Sequence, residues 1–398
     1  MNYLDLKNAS DIRYSGSSVS QVWYEDNYIW PQPTDYSKEP FTIMSRHSNN
    51  NIQLQYYNNA EDTSSYPQQI TVDVYVDNAV TPNTVTIPIN TTRTLAIIGK
   101  GHKIRVFVHN NGVLNNPYVP LIYIRFFSSE EFDVYGDITT LKEYPDTRAD
   151  YQYLFASGAK VRNARNLIMP STLTSNCFRS MFQGVNTLLT APELPATTLT
   201  DNCYRAMFLS CSNLTNAPQL PATTAKSFCY YQMFQGCTSL TTVPELPATT
   251  VEQYCYNYMF ENCTSLITAP VLPATTLATG CYYAMFQNCT SITTSLGISA
   301  TTLASTCCYA MFNGCTSLTT APELLAENLT TNCYGYMFKN CSSLQRIKAM
   351  FITTPSNGLT SYWVDGINGE GTFVKNPNAT WDVRGSHGVP NNWVVQTN

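Results

Sequence analysis

Cysteine is the residue type whose number and spacing in this chain could support chemistry. The segment CYNYMFENCTSL, residues 255–266, places Cys255 and Cys263 eight residues apart around a Met-Phe pair. Thiols in such an arrangement could form a disulfide, hold a metal ion, act as a redox centre or fill a hydrophobic core. The choice depends on how often the segment recurs and on the elements that carry it.

The segment recurs seven times at a constant step of 26 residues. The Met-Phe pair begins at Met181, Met207, Met233, Met259, Met285, Met311 and Met337. The first cysteine keeps the same step at Cys177, Cys203, Cys229, Cys255, Cys281, Cys307 and Cys333, and the second at Cys211, Cys237, Cys263, Cys289, Cys315 and Cys341. Only Cys308 of the 14 cysteines lies outside these two ladders, so the cysteines belong to an internal repeat.

Each repeat predicts one short helix and one short strand. Cys255, Met259 and Cys263 follow an i, i+4, i+8 spacing, which predicts an inward apolar stripe on a helix. In each copy, a stretch such as LTTVPELP (residues 240–247) follows the cysteine segment and predicts a short strand, and ATT after it predicts a turn. A single unit of this size cannot bury a core, whereas stacked neighbours can, so the repeat predicts an α/β solenoid.

The repeat resembles the BspA-type (treponemal) leucine-rich repeat. Met259, Phe260, Cys263, Leu266 and the pair Leu272-Pro273 match the pattern of that family, and the resemblance covers roughly residues 164–349. It implies a leucine-rich-repeat solenoid of a kind found in surface adhesins. The chain departs from the family in its period of 26, which is a few residues longer than the commoner form, and in the fifth copy, which reads SLGIS in place of APELP.

Buried free thiols are the favoured interpretation of the cysteine ladders. On a helix, Cys255 and Cys263 would lie about 12 Å apart, beyond the reach of a disulfide. The repeats contain no histidine and no short Cys-x-x-Cys spacing, which argues against a metal site. We therefore predict a structural core ladder, while disulfides between neighbouring copies remain an alternative; its members include Cys203, Cys229, Cys255, Cys281, Cys211, Cys237, Cys263 and Cys289.

The flanks of the repeat predict further β structure. Alternating stretches such as ITVDVYV and KIRVFVH favour an antiparallel β-sandwich, within which His102 and His109 match no catalytic pattern. The predicted fold class is β-rich and multidomain, with the sandwich followed by the solenoid and a small β cap. The predicted segments are an N-terminal docking hairpin over 1–40, the sandwich over 41–135, a solenoid N-cap over 136–163, seven leucine-rich repeats over 164–351 and a C-terminal cap over 352–398.

Composition and motifs argue against several function classes. Charged residues make up only 12% of the chain, the net charge is −5 and no Lys/Arg cluster occurs, which argues against nucleic acid as a partner. No apolar run is long enough for a membrane span or an export signal, which favours synthesis in a cytosol. Glu193, Glu245 and Glu323 recur at one repeat position and predict a solvated edge rather than a catalytic pair. We therefore expect no enzyme activity, no metal and no cofactor.

The positions that vary from copy to copy are the predicted recognition surface. Their neighbours are rich in tyrosine, and no Lys or Arg occurs between residues 227 and 338. Three tryptophans beyond the repeats are interpreted either as the core of a β cap or as exposed rings that stack on sugars or a receptor. The candidate recognition residues are Arg205, Tyr231, Asn257, Tyr258, Tyr283, Tyr309, Tyr336, Trp363 and Trp381.

A second resemblance concerns the flanks. FSSEEFDVYGDI, GTFVKNPNATW and GVPNNWVV are similar to the flanks of BspA-type proteins of gut Bacteroidetes and their phages, and VSQVWYEDNYIW is similar to the start of phage tail and fibre proteins. The resemblance implies a virion structural protein of fibre or adhesion type, made in the host cytoplasm. It further implies a homo-oligomer that binds other virion proteins through its N-terminal region and a host surface protein or polysaccharide through its solenoid. A bacterial cell-surface adhesin and an intracellular scaffold are the alternatives.

Overall fold

The computed structural model describes residues 39–58, 68–109, 122–141 and 151–397, together with the backbone of four short strands nearer the N-terminus. Strand β1 (Arg13–Tyr14) pairs with β2 (Ser17–Ser18), and β3 (Val22–Tyr24) pairs antiparallel with β4 (Asn27–Trp30). The second pair corresponds to the predicted hairpin. Most of residues 1–38 lie outside the described residues, so a docking role for this segment stays a prediction.

Two β-sheets follow where the alternating sequence predicts an antiparallel sandwich: one is antiparallel, and the other is antiparallel except for its parallel strands β13 and β14. One has the strand order β13-β12-β5-β10-β7-β8, with β14 paired to β12, and the other has the order β11-β6-β9. The strands are β5 (Thr42–Ser45), β6 (Asn50–Asn58), β7 (Gln69–Val76), β8 (Asn83–Pro88), β9 (Thr91–Ile98), β10 (Lys103–His109), β11 (Ile122–Ser128), β12 (Phe132–Asp137), β13 (Val161–Asn163) and β14 (Leu167–Ile168), with a 3-10 helix over Ile138–Leu141.

The two sheets share one core, as in a β-sandwich. Along β7 and β10 every second residue is buried, because successive side chains of a strand point to opposite faces. Phe41 and Phe126 pack with ring centroids 5.7 Å apart, and Phe126 lies at the same distance from Phe155, which belongs to the solenoid. The sandwich core is therefore continuous with the solenoid core.

Strand β12 joins the two parts. It pairs antiparallel with β5 and parallel with both β13 and β14, so it covers the open edge of the solenoid. Residues 151–163 already form a solenoid turn, since Tyr151 stacks on Phe178 at 5.4 Å. The capping element is thus β12 at the end of the sandwich sheet, and most of this strand precedes the predicted N-cap over 136–163.

The solenoid has about ten turns with a spacing of about 26 residues. Single parallel bridges link Asn163, Thr190, Asn216 and Thr242 in succession. It extends beyond residue 351, because Arg346–Ala349 pairs in parallel with Thr372–Lys375, and that strand pairs with Val394–Thr397. Its remaining strands are β15 (Thr224–Ala225), β16 (Thr250–Val251), β17 (Thr268–Ala269), β18 (Thr294–Ser295), β19 (Arg346–Ala349), β20 (Thr372–Lys375) and β21 (Val394–Thr397).

The predicted helix is wrong, and with it the α/β part of the fold class. The cysteine segments are runs of tight turns, and the described residues contain no α-helix. The amide of Cys255 donates to Glu252 three residues back, whereas the amide of Tyr256 donates to Cys281 in the next turn of the solenoid. This alternation continues along the segment, so half of its backbone hydrogen bonds join successive solenoid turns. The predicted turn at ATT is also replaced, since Thr250–Val251 pairs in parallel with Thr224–Ala225.

Left-handed backbone at every fourth residue explains why the run of turns has the same four-residue spacing of buried side chains as a helix. Tyr254, Tyr258 and Asn262 all have positive φ, near 55–60°. Each such residue reverses the chain direction, so Cys255, Met259 and Cys263 return to the inner side with the four-residue spacing of a helix. The third left-handed position favours residues that tolerate this conformation, and its occupants are Ser157, Gly184, Ser210, Gly236, Asn262, Asn288, Gly314, Asn340 and Gly366.

None of the described segments forms a helix with the length and apolarity needed to cross a bilayer.

Candidate recognition surface

The cysteine ladders form part of the core. All 14 cysteines are buried and unbridged. Each thiol of the second ladder donates to a phenylalanine carbonyl of the preceding turn, as Cys263 does to Phe234 at 3.1 Å. The same bond joins Cys211 to Phe182, Cys237 to Phe208, Cys289 to Phe260, Cys315 to Phe286 and Cys341 to Phe312. Cysteine therefore acts here as a small apolar residue that also supplies a weak donor.

Burial keeps most of these thiols protonated. It raises the pKa of Cys237 to about 12, and it places the pKa of Cys263 well above its usual range. Within the described residues, no group of three or more Cys, His, Asp or Glu side chains is arranged to hold a metal ion. The burial and raised pKa values of these thiols fit a structural role in the core.

Two adjacent positions in each turn together supply one planar side chain to the outer side, and the other residue of most pairs is buried. In every turn from residue 152 to residue 362, one position of the pair holds Tyr or Arg and the other a different, in most turns smaller, residue. The pairs are Gln152/Tyr153, Arg179/Ser180, Arg205/Ala206, Tyr231/Gln232, Asn257/Tyr258, Tyr283/Ala284, Tyr309/Ala310, Gly335/Tyr336 and Ser361/Tyr362. We call the Tyr and Arg members of these pairs the planar stripe.

Contacts between neighbouring turns make the stripe continuous over much of the solenoid. The Arg205 guanidinium lies 4.6 Å from the ring centroid of Tyr231. The centroid distances that follow are 6.2 Å for Tyr231–Tyr258, 5.4 Å for Tyr258–Tyr283, 4.8 Å for Tyr283–Tyr309, 5.2 Å for Tyr309–Tyr336 and 5.4 Å for Tyr336–Tyr362. The ring of His387, 5.2 Å from Tyr362, ends the stripe on one side. On the other side Tyr153 packs on Tyr123 of β11, which stacks on Tyr57 of β6.

The position that carries the ring changes with the space that is available. Where the second position holds the ring, as at Tyr258 and Tyr336, that residue has positive φ, which is unusual for a bulky side chain. Gly335 makes room for the neighbouring stripe residue, because a Cβ atom there would lie 2.9 Å from the Tyr309 ring. The second position has positive φ in every turn, including those where it holds Ala206, Ala284 or Ala310. The left-handed backbone is therefore a property of the repeat, and in some turns it carries the ring.

The structure brings six of the predicted recognition residues together. Arg205, Tyr231, Tyr258, Tyr283, Tyr309 and Tyr336 all belong to the planar stripe and are partly exposed. Asn257 is only 4% exposed, and it is the buried residue of the pair Asn257/Tyr258. The stripe also includes Tyr153, Arg179 and Tyr362, which the prediction missed. The 26-residue step, applied to both adjacent positions rather than to one, is the signal that would have found them.

Trp363 and Trp381 are buried, so their prediction as exposed recognition residues is corrected. The Trp363 indole donates to the carbonyl of Gly388 at 2.8 Å, and the Trp381 indole donates to that of Phe351 at 3.2 Å. Both fill the core of the last solenoid turns, where large rings replace the Tyr and Phe ladders.

The centre of the stripe is neutral and hydroxyl-rich. The hydroxyls of Tyr258 and Tyr283 share a hydrogen bond. Burial raises the pKa of Tyr258, and it raises the pKa of Tyr283 to about 12, so both rings carry neutral hydroxyls at physiological pH. Near them, burial raises the pKa of Glu261, whose carboxylate accepts a hydrogen bond from Gln235.

A second surface feature is an apolar groove of about 600 Å³ between the third and fourth repeats. Its walls include Val243, Ile267, Val271 and Leu296, of which the last three are about half exposed or more. No backbone hydrogen bond joins residues 241–251 to residues 267–277, although both stretches are fully described. The groove thus opens where the parallel ladder between turns is interrupted.

The SLGIS segment of the fifth repeat closes the far side of this groove. Pro270 and Pro273 in the fourth repeat lack an amide donor, but the proline-free fifth repeat supplies its own donors. The amide of Leu296 donates to Ala269 at 3.2 Å, and that of Ser299 donates to Leu272 at 3.0 Å. The departure from the repeat pattern therefore strengthens the pairing between the fourth and fifth turns.

Two of the sandwich histidines, His102 and His109, each pair with an aspartate on or next to β7. His102 lies 2.7 Å from Asp77, and His109 lies 2.8 Å from Asp73, which also accepts the hydroxyl of Thr84. The Thr84 hydrogen bond is the main reason that the pKa of Asp73 is lowered. These cross-strand pairs, which the sequence did not predict, tie β10 to β7.

Comparison with protein-family models, with curated proteins and with solved structures finds no match to this chain. Function is therefore inferred from the planar stripe and its surroundings.

Proposed function

We propose that this protein is a non-catalytic adhesion protein whose solenoid binds an extended polysaccharide along the planar stripe. The observation that carries the proposal is the presence of one planar side chain in each turn from Tyr153 to Tyr362. Successive turns of parallel β structure are about 4.8 Å apart. This step is close to the length that one sugar unit adds to an extended polysaccharide, so a bound chain can meet one ring per sugar.

The arrangement of the rings offers two kinds of contact to a sugar. The interplanar angles of 76° for Tyr231–Tyr258 and 59° for Tyr258–Tyr283 leave ring faces that the neighbouring tyrosine does not cover. The apolar face of a pyranose can pack on such a ring. Tyr283 and Tyr309 stack at 15°, so their contribution to binding is through ring edges and hydroxyls, which can form hydrogen bonds with sugar hydroxyls.

Rigidity and repetition support useful affinity from weak contacts. The stripe rings are half-buried and fixed by packing, so little side-chain entropy is lost on binding. Because many equivalent contacts act on one polymer chain, their effects combine as avidity.

The first test is affinity electrophoresis in gels that contain soluble polysaccharides, neutral and acidic. We expect retardation of the wild-type protein by at least one polymer and loss of that retardation in the double variant Tyr283→Ala/Tyr309→Ala. The matched control is Tyr75→Ala, which removes a tyrosine of β7 that lies outside the stripe and should leave retardation unchanged. No retardation by any polymer, or full retardation of the double variant, would contradict the proposal.

The proposed biological setting is a phage virion, in which the N-terminal region attaches a homo-oligomeric fibre and the solenoid is displayed. Its support is the resemblance of both flanks to phage fibre proteins and of the repeat to the BspA type. The alternative setting, a bacterial cell surface, uses the same binding function. Mass spectrometry of purified particles from the source distinguishes the two settings, because a virion protein must be present in them.

A further inference from the structure

The N-terminal end of the planar stripe carries two arginines on neighbouring turns. Arg179 and Arg205 occupy the same position one repeat apart, and both are partly exposed. Burial lowers the pKa of Arg205, and the charge of Arg179 lowers it further. Successive turns of parallel β structure are about 4.8 Å apart, so side chains at the same position of neighbouring turns are close, and their like charges repel.

Neither arginine has an acidic partner among the described residues. The Arg205 guanidinium donates to Asn202 Oδ1 at 3.3 Å and lies over the rings of Tyr231 and Phe228. Some other cations of the solenoid have an acidic partner, since Lys226 pairs with Glu252 at 2.6 Å and Lys339 pairs with Asp365 at 3.4 Å. Among the described residues, the stripe thus has a cation paired with a carboxylate at its C-terminal end and two arginines without such a partner at its N-terminal end.

A third arginine continues this cationic end onto the sandwich. Arg125 of β11 donates to the Tyr123 hydroxyl at 2.8 Å, and its guanidinium lies 5.4 Å from the Tyr123 ring centroid. No salt bridge to a described carboxylate is formed by Arg125. Tyr123 packs on Tyr153 at 4.9 Å, so this arginine borders the same stripe.

We propose that Arg179 and Arg205, with Arg125 beside them, form an anion subsite, and that the extended ligand is an acidic polysaccharide bearing carboxylate or sulfate groups. Guanidinium groups bind both anions through paired N–H donors, and a bound anion relieves the repulsion between neighbouring arginines. The inference rests on the proposed function, since the anion must belong to a polymer that continues over the tyrosines. It gives the ligand a direction, with acidic units at Arg179 and Arg205 and stacking units from Tyr231 onward.

The test compares polygalacturonate with its carboxyl-reduced form, and dextran sulfate with dextran, in titrations of the full chain. The wild-type protein should bind an acidic polymer at least about tenfold more tightly than its neutral form, and the preference should weaken with salt. The carboxylate and sulfate pairs distinguish the two sources of the anion. In Arg179→Gln/Arg205→Gln the preference should fall to about twofold or less, while Arg93→Gln, on β9 and outside the stripe, should keep it.

The outcomes separate the inference from the proposed function. Equal binding of acidic and neutral polymers, or an unchanged preference in the arginine double variant, overturns the anion subsite and leaves the binding function standing. Binding of no polymer overturns the function itself. Single-stranded oligothymidine that competes as well as the acidic polysaccharide would also overturn the inference, because stacking and phosphate contacts would then explain the stripe. Unchanged thermal denaturation of the glutamine variants shows that their folds are intact.

Discussion

Each thiol of the second cysteine ladder lies against a phenylalanine carbonyl and has no access to solvent. Cys263, for example, is fully buried and donates to Phe234 at 3.1 Å. Val185 occupies the equivalent position in the first repeat, which shows that the site accepts an apolar side chain of similar size. The thiol contributes a weak hydrogen bond in addition to packing, and its reactivity is suppressed by burial.

We predict that a thiol reagent such as DTNB at pH 8 modifies essentially no cysteine in the native protein. After denaturation without reductant it should modify all 14, because the cysteines are unbridged and buried. The measurement is the absorbance of the released chromophore, before and after guanidinium chloride is added. A denatured count well below that number would show that some ladder cysteines are joined in disulfides.

A second prediction at the scale of single residues concerns Gly314. The variant Gly314→Ala should be less stable than the wild type by about 1–2 kcal/mol, which is the cost of left-handed backbone for a residue with a side chain. Gly314 has φ of 77°, and a Cβ atom there would collide with Asn288 Oδ1. Urea unfolding of both proteins measures the difference.

The matched control is Gly369→Ala, because a Cβ atom at Gly369 would meet nothing within 4 Å. Its free energy of unfolding should lie within about 0.5 kcal/mol of the wild type. Equal losses in the two variants would mean that the left-handed position itself is not the cause.

At the scale of elements, the parallel ladder between turns is stronger at some junctions than at others. Thr241 and Thr293 donate their amides to the preceding turn, to Thr215 at 3.3 Å and Ile267 at 3.0 Å. The amide of Ile267, at the equivalent position of the fourth repeat, has no such bond. The run of turns stays bonded at this junction, as the amide of Phe234 donates to Met259 at 2.9 Å, so the groove opens on one side only.

We predict faster amide hydrogen exchange at Ile267 than at Thr241 and Thr293. Exchange of an amide that is already exposed requires no opening of the ladder, whereas its two equivalents must first break a hydrogen bond. Site-resolved exchange by NMR or by fragmentation mass spectrometry measures the three rates in one experiment. Equal protection at the three sites would show that the ladder is closed in solution.

At the scale of the whole molecule, the buried thiols couple stability to alkaline pH. Burial raises the pKa of Cys203, Cys237 and Cys333 to about 12, whereas an unfolded cysteine has a pKa of about 8.5. Their contribution to stability is fully present below the unfolded value and is lost as pH rises toward the folded value. Each such thiol removes about 1.4 kcal/mol per pH unit within that window.

We therefore predict that the melting temperature is nearly constant between about pH 6 and 8 and falls steeply above about pH 9. Circular dichroism at each pH measures it. The variant Cys263→Val/Cys289→Val, which copies the valine of the first repeat, should show a shallower alkaline decline. A melting temperature that holds to about pH 10.5 would contradict this account.

Much of the candidate site could be predicted because the repeat step is constant. Tyr231, Tyr283 and Tyr309 differ by multiples of 26, so stacking of the repeats places them on one side of the solenoid whatever the local backbone. Asn257 could not be assigned correctly, because the 26-residue step does not show which of two adjacent residues, Asn257 or Tyr258, points outward. The backbone does not show it either, since the second position is left-handed in every turn. The groove also escaped prediction, since it follows from hydrogen bonds that are missing between turns.

The sequence by itself determined the period, the residues that stack on one another and the inward position of the cysteines. Only the tertiary structure decided that the cysteine segment is a run of turns and that the tryptophans are buried. The physical reason is the location of the hydrogen-bond partners. A spacing of four residues is shared by a helix and by this run of turns, whereas the carbonyl that accepts the amide of Tyr256 belongs to Cys281 in the next turn. That partner is defined only once the solenoid has formed.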